Sequence, residues 1–261
     1  MLRQVSRPVL LQQVGKQIFY DAFGQNPVGL WSPEQAVSGA IVPFLNQTGY
    51  AWTSTADSTL AETGISTPSS IGPTAQQMEN LYQPYTVVQN GTSVSMVFRD
   101  STLSNDWGFN YGNLASTQGS WAPVGALMTY LKNIYSTVPR ADHSNITVTV
   151  ALDGENWMFM SPFPMDAVPF LKDLYLGLQQ NSSWLKTVTM QQYLAGPHKT
   201  MPVITNLPIG SWNPQPTGSG ISEYLGQWAG HAPQDASGQQ LSLVRSMVQN
   251  YGQQHGLVQP R

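Results

Sequence analysis

The stretch that most constrains this chain is Ile146-Thr-Val-Thr-Val-Ala-Leu152, which ends abruptly at Asp153-Gly-Glu155-Asn156. So short an unbroken run of apolar and β-branched residues reads as a strand buried on both faces, as in a parallel sheet. Acids placed directly after such a strand sit at its C-terminal end, where open and closed α/β sheets assemble their binding sites. A second stretch has the same form: Val28-Gly-Leu-Trp31 delivers Ser32-Pro33-Glu34 to the start of a helical pattern. The expectation is an α/β fold in which two carboxylates, Glu34 and Asp153, meet at one end of a parallel sheet.

Composition narrows the class. With 261 residues and 41% hydrophobic content the chain buries a sizeable core. Only 10% of residues are charged and the net charge is -3, so there is no basic footprint for nucleic acid. Cysteine is absent, which excludes disulfides and thiolate chemistry. No apolar run approaches the roughly 18 residues needed to span a membrane, and Met1 to Pro8 lacks the pattern of a signal peptide. Sequons at Asn46, Asn90, Asn145 and Asn181, with a weakly charged, amide- and hydroxyl-rich surface, suggest an extracellular, acidic setting.

Taken in order, Val5 to Phe23 has helical periodicity ending at Gly24. After the Val28–Trp31 strand, Ser32 is a natural N-cap and Pro33 fits the first helical position, with Ala36, Val37, Ala40, Ile41, Phe44 and Leu45 as the buried face; Pro43 threatens a kink. Tyr50 to Ser54 reads as a strand, and Asp57 caps a short helix ending at Gly64. The Ser-, Thr-, Pro- and Gln-rich segment from Ile65 to Pro84 reads as a long surface excursion. Tyr85–Gln89 and Ser93–Phe98 flank Asn90-Gly91, a strong hairpin signal. Arg99-Asp100 follow at a strand end, then Ser101 to Tyr111, a loop of small residues, and a helix from Val124 to Val138. Beyond the central strand, Asp166 caps a helix through Leu178, and Thr187 to Leu194 is a short strand joined to a helical turn. A Pro/Gly-rich border runs from Gly196 to Gly220, and a final helix covers Leu241 to Tyr251. The division expected is residues 1–209 and 210–261.

Five blocks carry a family resemblance: Gly29-Leu-Trp-Ser-Pro-Glu34-Gln-Ala-Val37; Phe98-Arg-Asp100 with Leu103-Ser-Asn105 and Gly108-Phe-Asn-Tyr111; Leu152-Asp-Gly-Glu-Asn156; Gly210-Ser-Trp212; and Gln227-Trp-Ala-Gly-His231. In this order they resemble glycoside hydrolase family 57, especially its amylase and amylopullulanase-like members. The resemblance implies an incomplete (β/α)7-type barrel followed by helices. It also implies a retaining enzyme acting on α-1,4-linked glucan, with Glu34 matching the nucleophile and Asp153 the general acid/base. The His-Gln-Pro block with which the family begins, and the Gly- and His-containing block after it, are missing. The expected barrel is therefore truncated, and the chain is a fragment, a shortened enzyme or a subunit that needs a partner.

A retaining glycosidase needs one ionised carboxylate to attack the anomeric carbon and one protonated carboxyl to release the leaving oxygen, about 5 to 5.5 Å apart. A helix N-terminus favours the charged form of Glu34, and Glu155 beside Asp153 favours a proton donor there. Each residue also has a plainer reading: Ser-Pro-Glu is an ordinary helix cap and Asp-Gly an ordinary turn. Arg99-Asp100 reads first as a structural ion pair, with a share in the acceptor-side loop. Trp31, Trp157, Trp212 and Trp228 fall in or beside the blocks, where flat rings stack on sugars; with Arg99, Asp100, Glu155 and His231 they complete the expected substrate-binding set. The four His residues have no ligand spacing, so no metal and no cofactor are expected. A rival reading is a catalytically silent carbohydrate-binding or scaffold protein. Loss of the first strands leaves the edge beside Val28–Trp31 to be covered by the Val5–Phe23 helix or by a second copy.

Overall fold

The computed structural model describes residues 7–68, 72–139, 143–144, 146–154, 168–196, 201–214, 224, 226 and 231–257. Its helices are α1 (Arg7–Phe23), α2 (Ile41–Thr48), α3 (Asp57–Glu62), α4 (Ala75–Leu81), α5 (Ser101–Asn105), α6 (Tyr111–Gln118), α7 (Trp121–Thr137), α8 (Val168–Gln180), α9 (Met190–Leu194) and α10 (Ala232–Gln254). The strands are β1 (Gly29–Leu30), β2 (Trp52–Ala56), β3 (Tyr85–Gln89), β4 (Thr92–Arg99) and β5 (Val203–Ile204). Two compact units result, Met1–Trp212 and Asn213–Arg261.

The first unit is built on a mixed five-stranded sheet in the order β1-β2-β4-β3-β5. Strands β1, β2 and β4 run parallel, β3 pairs antiparallel with β4, and β5 joins β3 in parallel. The β3–β4 hairpin turns at Asn90 (φ 48°) and Gly91 (φ 73°), the two left-handed residues a type I′ turn demands. Beyond the start of β3, the segment from Ile146 to Leu152 runs beside β4, bridging at Arg99 and Thr149. It supplies extended backbone where the sequence promised a full strand. Among the described residues the sheet does not close into a barrel.

Alternation along β4 sorts its side chains: Val94, Met96 and Phe98 enter a core shared with Val42 and Leu45 of α2, Met78 and Leu81 of α4, and Ile134 of α7. A second core joins Leu103, Trp107, Val124, Leu127, Phe170 and Leu174, with Val148 and Val150 packed against it.

Several elements differ from expectation. α2 begins at Ile41 instead of Pro33, and Pro43 sits harmlessly in its first turn. The supposed excursion before β3 contains α4, whose Thr74 and Gln77 form a full capping box. The expected small-residue loop is largely α6, preceded by a π-turn at Asp106–Asn110. Thr187 to Thr189 form no strand; Thr189 instead caps α9. Asp166 lies outside the described residues. α1 reaches α2 through Lys16 Nζ, which donates to the carbonyls of Thr48 (2.9 Å) and Gly49 (3.0 Å). In the second unit, α10 runs well beyond Leu241–Tyr251 at both ends, and no helix among the described residues is long and apolar enough to cross a membrane.

Candidate active site

Glu34 occupies a single 3-10 turn, Pro33–Gln35, with φ 52° and ψ 21°, and Gln35 follows at φ 51°. Two successive left-handed residues, neither of them glycine, cost about 1–2 kcal/mol each, so the turn needs external clamps. Gln35 is fully buried; its Nε2 donates to Ser54 Oγ (3.0 Å) and its carbonyl accepts from Thr55 Oγ1 (2.9 Å). On the other side the chain returns at Gly210–Trp212. Val37 and Gly210 exchange backbone bonds of 2.8 and 3.0 Å, and Trp212 N–H donates to the Glu34 carbonyl at 3.1 Å. The Trp212 indole N–H also donates to Glu34 Oε2, at 2.5 Å. The helix-start expectation is thereby corrected. Ser32 makes no side-chain cap and Glu34 precedes α2 by several residues, so an indole donor, not an α-helix N-terminus, addresses its carboxylate.

Arg99 ends β4 and is 5% exposed. Its Nε donates to the Ala151 carbonyl (2.9 Å), one terminal nitrogen to Ser101 Oγ (3.2 Å) and the other to Asn105 Oδ1 (2.7 Å). The guanidinium also lies over the Trp212 ring, 4.8 Å from its centroid. Burial pulls its pKa down, opposed by the charges of Asp57, Asp100 and Asp153. Asp100 points to the opposite face, as the next residue on a strand must. There it accepts from Tyr82 and Tyr130 hydroxyls at 2.8 and 2.9 Å and from Leu103 N–H at 2.8 Å. The expected Arg99–Asp100 ion pair is thus two separate anchorages, one on each face.

Asp153 is half-buried and follows the segment fixed to β4 by Asp100 N–H on Thr149 (2.9 Å), by Arg99 on Ala151 and by Ala151 N–H on Ser104 Oγ (3.2 Å). Trp212 and Arg99 accordingly run from the Glu34 carboxylate to the carbonyl of Ala151, two residues before Asp153. Trp31, 40% exposed, meets Trp212 edge-on with ring centroids 5.2 Å apart, leaving an indole beside Glu34 open to solvent. Glu155, Trp157 and Trp228 lie outside the described residues. His231 belongs to the second unit, where its Nε2 donates to the Gly226 carbonyl at 2.7 Å.

Two contributors escaped the sequence reading. Asp57 accepts from Ser101 Oγ (2.6 Å) and Ser101 N–H (3.3 Å), and Asn105 takes one arm of Arg99. The Leu103-Ser-Asn105 block marked the second; nothing local marked Asp57 as more than a helix start. A cavity of about 720 Å³ lies apart from Glu34, lined by apolar groups such as Leu127, Leu131, Val148 and Leu174 together with Trp184, Lys186 and Gln192. Among the described residues no group of three or more His, Cys, Asp or Glu is placed to hold a metal.

The model for glycosyl hydrolase family 57 matches residues 12–205, well over half of the chain and inclusive of Glu34, Arg99 and Asp153. The chain belongs to glycosyl hydrolase family 57. Solved structures similar to this family 57 chain include 4-alpha-glucanotransferase from Thermococcus litoralis, 18% identical with a TM-score of 0.53, over 78% of this chain and 27% of that one. A branching enzyme from Thermococcus kodakaraensis is 14% identical with a TM-score of 0.57, over 86% of this chain and 48% of that one. The alpha-amylase AmyC from Thermotoga maritima is 12% identical with a TM-score of 0.60, over 78% of this chain and 48% of that one. The family 57 chain thus spans from about a quarter to about a half of these proteins, and at such identities the likeness establishes the mixed α/β fold. No curated protein matches it.

Proposed function

We propose that this chain carries the catalytic carboxylates of a glycosidase-type enzyme acting on α-glucan with retention of configuration. Family membership supports the reaction class, and the printed activities of the structural neighbours, a glucanotransferase, a branching enzyme and an amylase, support the substrate class. The observation that carries the assignment of residues is the strained, doubly clamped turn that presents Glu34, joined through Trp212 and Arg99 to the segment bearing Asp153. Strain of this kind persists only where the surroundings over-determine it, and it concentrates at working sites.

In this reading Glu34 attacks the anomeric carbon while Asp153 gives its proton to the departing glycosidic oxygen. Asp153 then takes a proton from water, or from a sugar hydroxyl in transfer, as that acceptor displaces Glu34. Retention requires carboxylates about 5 to 5.5 Å apart. Trp31 is the sugar-stacking ring we favour. Hydrolysis of α-1,4 links is the leading outcome; transglycosylation and α-1,6 cleavage use the same two groups.

Reducing-sugar release from soluble starch, with the anomer followed by NMR, tests the reading. The α-product is expected from the wild type, and its loss from Glu34→Gln and Asp153→Asn, with Asp153→Asn still binding maltooligosaccharides. Starch binding without turnover by the wild type would instead establish a carbohydrate-binding protein.

A further inference from the structure

We propose that Arg99 is the positioning residue that sets the two carboxylates against each other, with Trp212 as its arm to Glu34 and the Ala151 carbonyl as its arm to Asp153. The inference rests on the catalytic reading above and deepens it. A guanidinium is a rigid planar fork with donors in fixed directions and a face that stacks on indole. At Arg99 these features are used at once. The Nε edge fixes Ala151, two residues before Asp153; the terminal nitrogens take Ser101 and Asn105; the face lies on Trp212, whose N–H holds Glu34. The base of the fork is equally fixed, because Arg99 pairs with Ala56 of β2 on one side and bridges Thr149 on the other. Burial and these commitments leave the guanidinium poorly placed to bind sugar itself.

Lysine keeps the charge but loses the fork, so it cannot serve Ala151, Ser101 and Asn105 together. The negative groups whose charge reaches Arg99 are Asp57, bonded to the same Ser101, Asp100 from the opposite face of the strand, and Asp153. Its cationic charge balances them, but its geometry aligns Glu34 with Asp153.

The experiment begins with wild type and Glu34→Gln on maltoheptaose. An inactive wild type overturns the catalytic reading, separately from this one. Given activity, kcat and KM are measured for Arg99→Gln, Arg99→Lys and Trp212→Phe on maltoheptaose and on α-maltosyl fluoride, with folding monitored by circular dichroism. Fluoride departs without a proton from Asp153. Arg99→Gln is expected to lower kcat on maltoheptaose by about 10²-fold, the cost of misplacing reacting groups by roughly 1 Å, with KM little changed and a smaller loss on the fluoride. Arg99→Lys is expected to recover only part of the loss.

Trp212→Phe should lower kcat on both substrates, yet be silent in a Glu34→Gly background rescued by azide. There azide itself bonds to the anomeric carbon as fluoride leaves, giving the β-azide, and Glu34 has no part. An equal Trp212→Phe loss under azide rescue would overturn the proposal. So would a raised KM with unchanged kcat in Arg99→Gln, which would make Arg99 a direct sugar ligand. If Arg99→Gln fails to fold, Arg99→Lys and the Trp212→Phe pair of backgrounds decide the matter alone.

Discussion

Glu34 and Gln35 hold a backbone conformation that glycine would adopt freely, so the candidate nucleophile sits where a fold selected only for stability would place Gly. The comparison that isolates this strain is between two variants that both lack the carboxylate. Glu34→Gly is expected to be more stable than Glu34→Ala by about 1 kcal/mol, because alanine retains the left-handed penalty and glycine does not. Urea denaturation measures the difference, and equal midpoints would show that the turn is unstrained. A related expectation concerns Gly210, where an added Cβ would collide with the Thr59 side chain. Gly210→Ala should cost about 1–3 kcal/mol of stability through overpacking and lower activity by shifting Trp212. The sequence made Glu34 visible through its block, but its turn geometry was not visible, because Ser-Pro-Glu is equally good helix-start chemistry. Nor was the use of Trp212: its indole was expected to stack on sugar, whereas its N–H finds an acceptor 178 positions away in the chain.

Strand β4 is the element on which both anchorages depend, and its buried terminus predicts a pH effect. Burial raises the Asp100 carboxyl pKa above its usual 3.8, with the charge of Asp57 adding and the bonds from Leu103, Tyr82 and Tyr130 opposing. A raised folded pKa means that the native state binds this proton more tightly than the unfolded chain does. The stability from this group is therefore complete below 3.8 and is lost as pH rises through the folded value. Wild type minus Asp100→Asn stability, from urea midpoints at successive pH values, should fall across that window; a rising or flat difference would contradict the sign. Legibility at this scale followed locality. The Asn90-Gly91 hairpin was readable because turn chemistry and strand pattern lie within a dozen residues. α4 was hidden in a Ser/Thr/Pro/Gln-rich background although Thr74-x-x-Gln77 is a capping signature. β5 has only two residues and owes its existence to pairing with β3, which no local pattern encodes.

Across the whole molecule, the α/β class and the β1 and β2 strands could be read from pattern, and the antiparallel β3 from its hairpin, whereas the Ile146–Leu152 run proved to be extended backbone with a single bridge to β4. Strand order could not, because it depends on which distant edges meet. The helix expected to shield β1 lies against α2 and leaves Leu11, Val14 and Ile18 at 61%, 49% and 63% exposure along one face. An apolar stripe of this kind favours association, so we expect concentration-dependent self-association in light scattering, reduced in Leu11→Glu/Ile18→Glu. A monodisperse wild type at high concentration would dismiss it. The expected border at residue 210 falls within the Gly210–Trp212 return, which the first unit retains as part of the Glu34 turn.

That return also governs the order of events during synthesis. The sheet from β1 to β4 can pair once residue 99 has left the ribosome, but Glu34 acquires its indole partner only after residue 212 has emerged. Contacts this remote in sequence form late, because the intervening loop must first be closed. A nascent chain can thus possess its sheet long before the Glu34 carboxylate meets the indole that holds it.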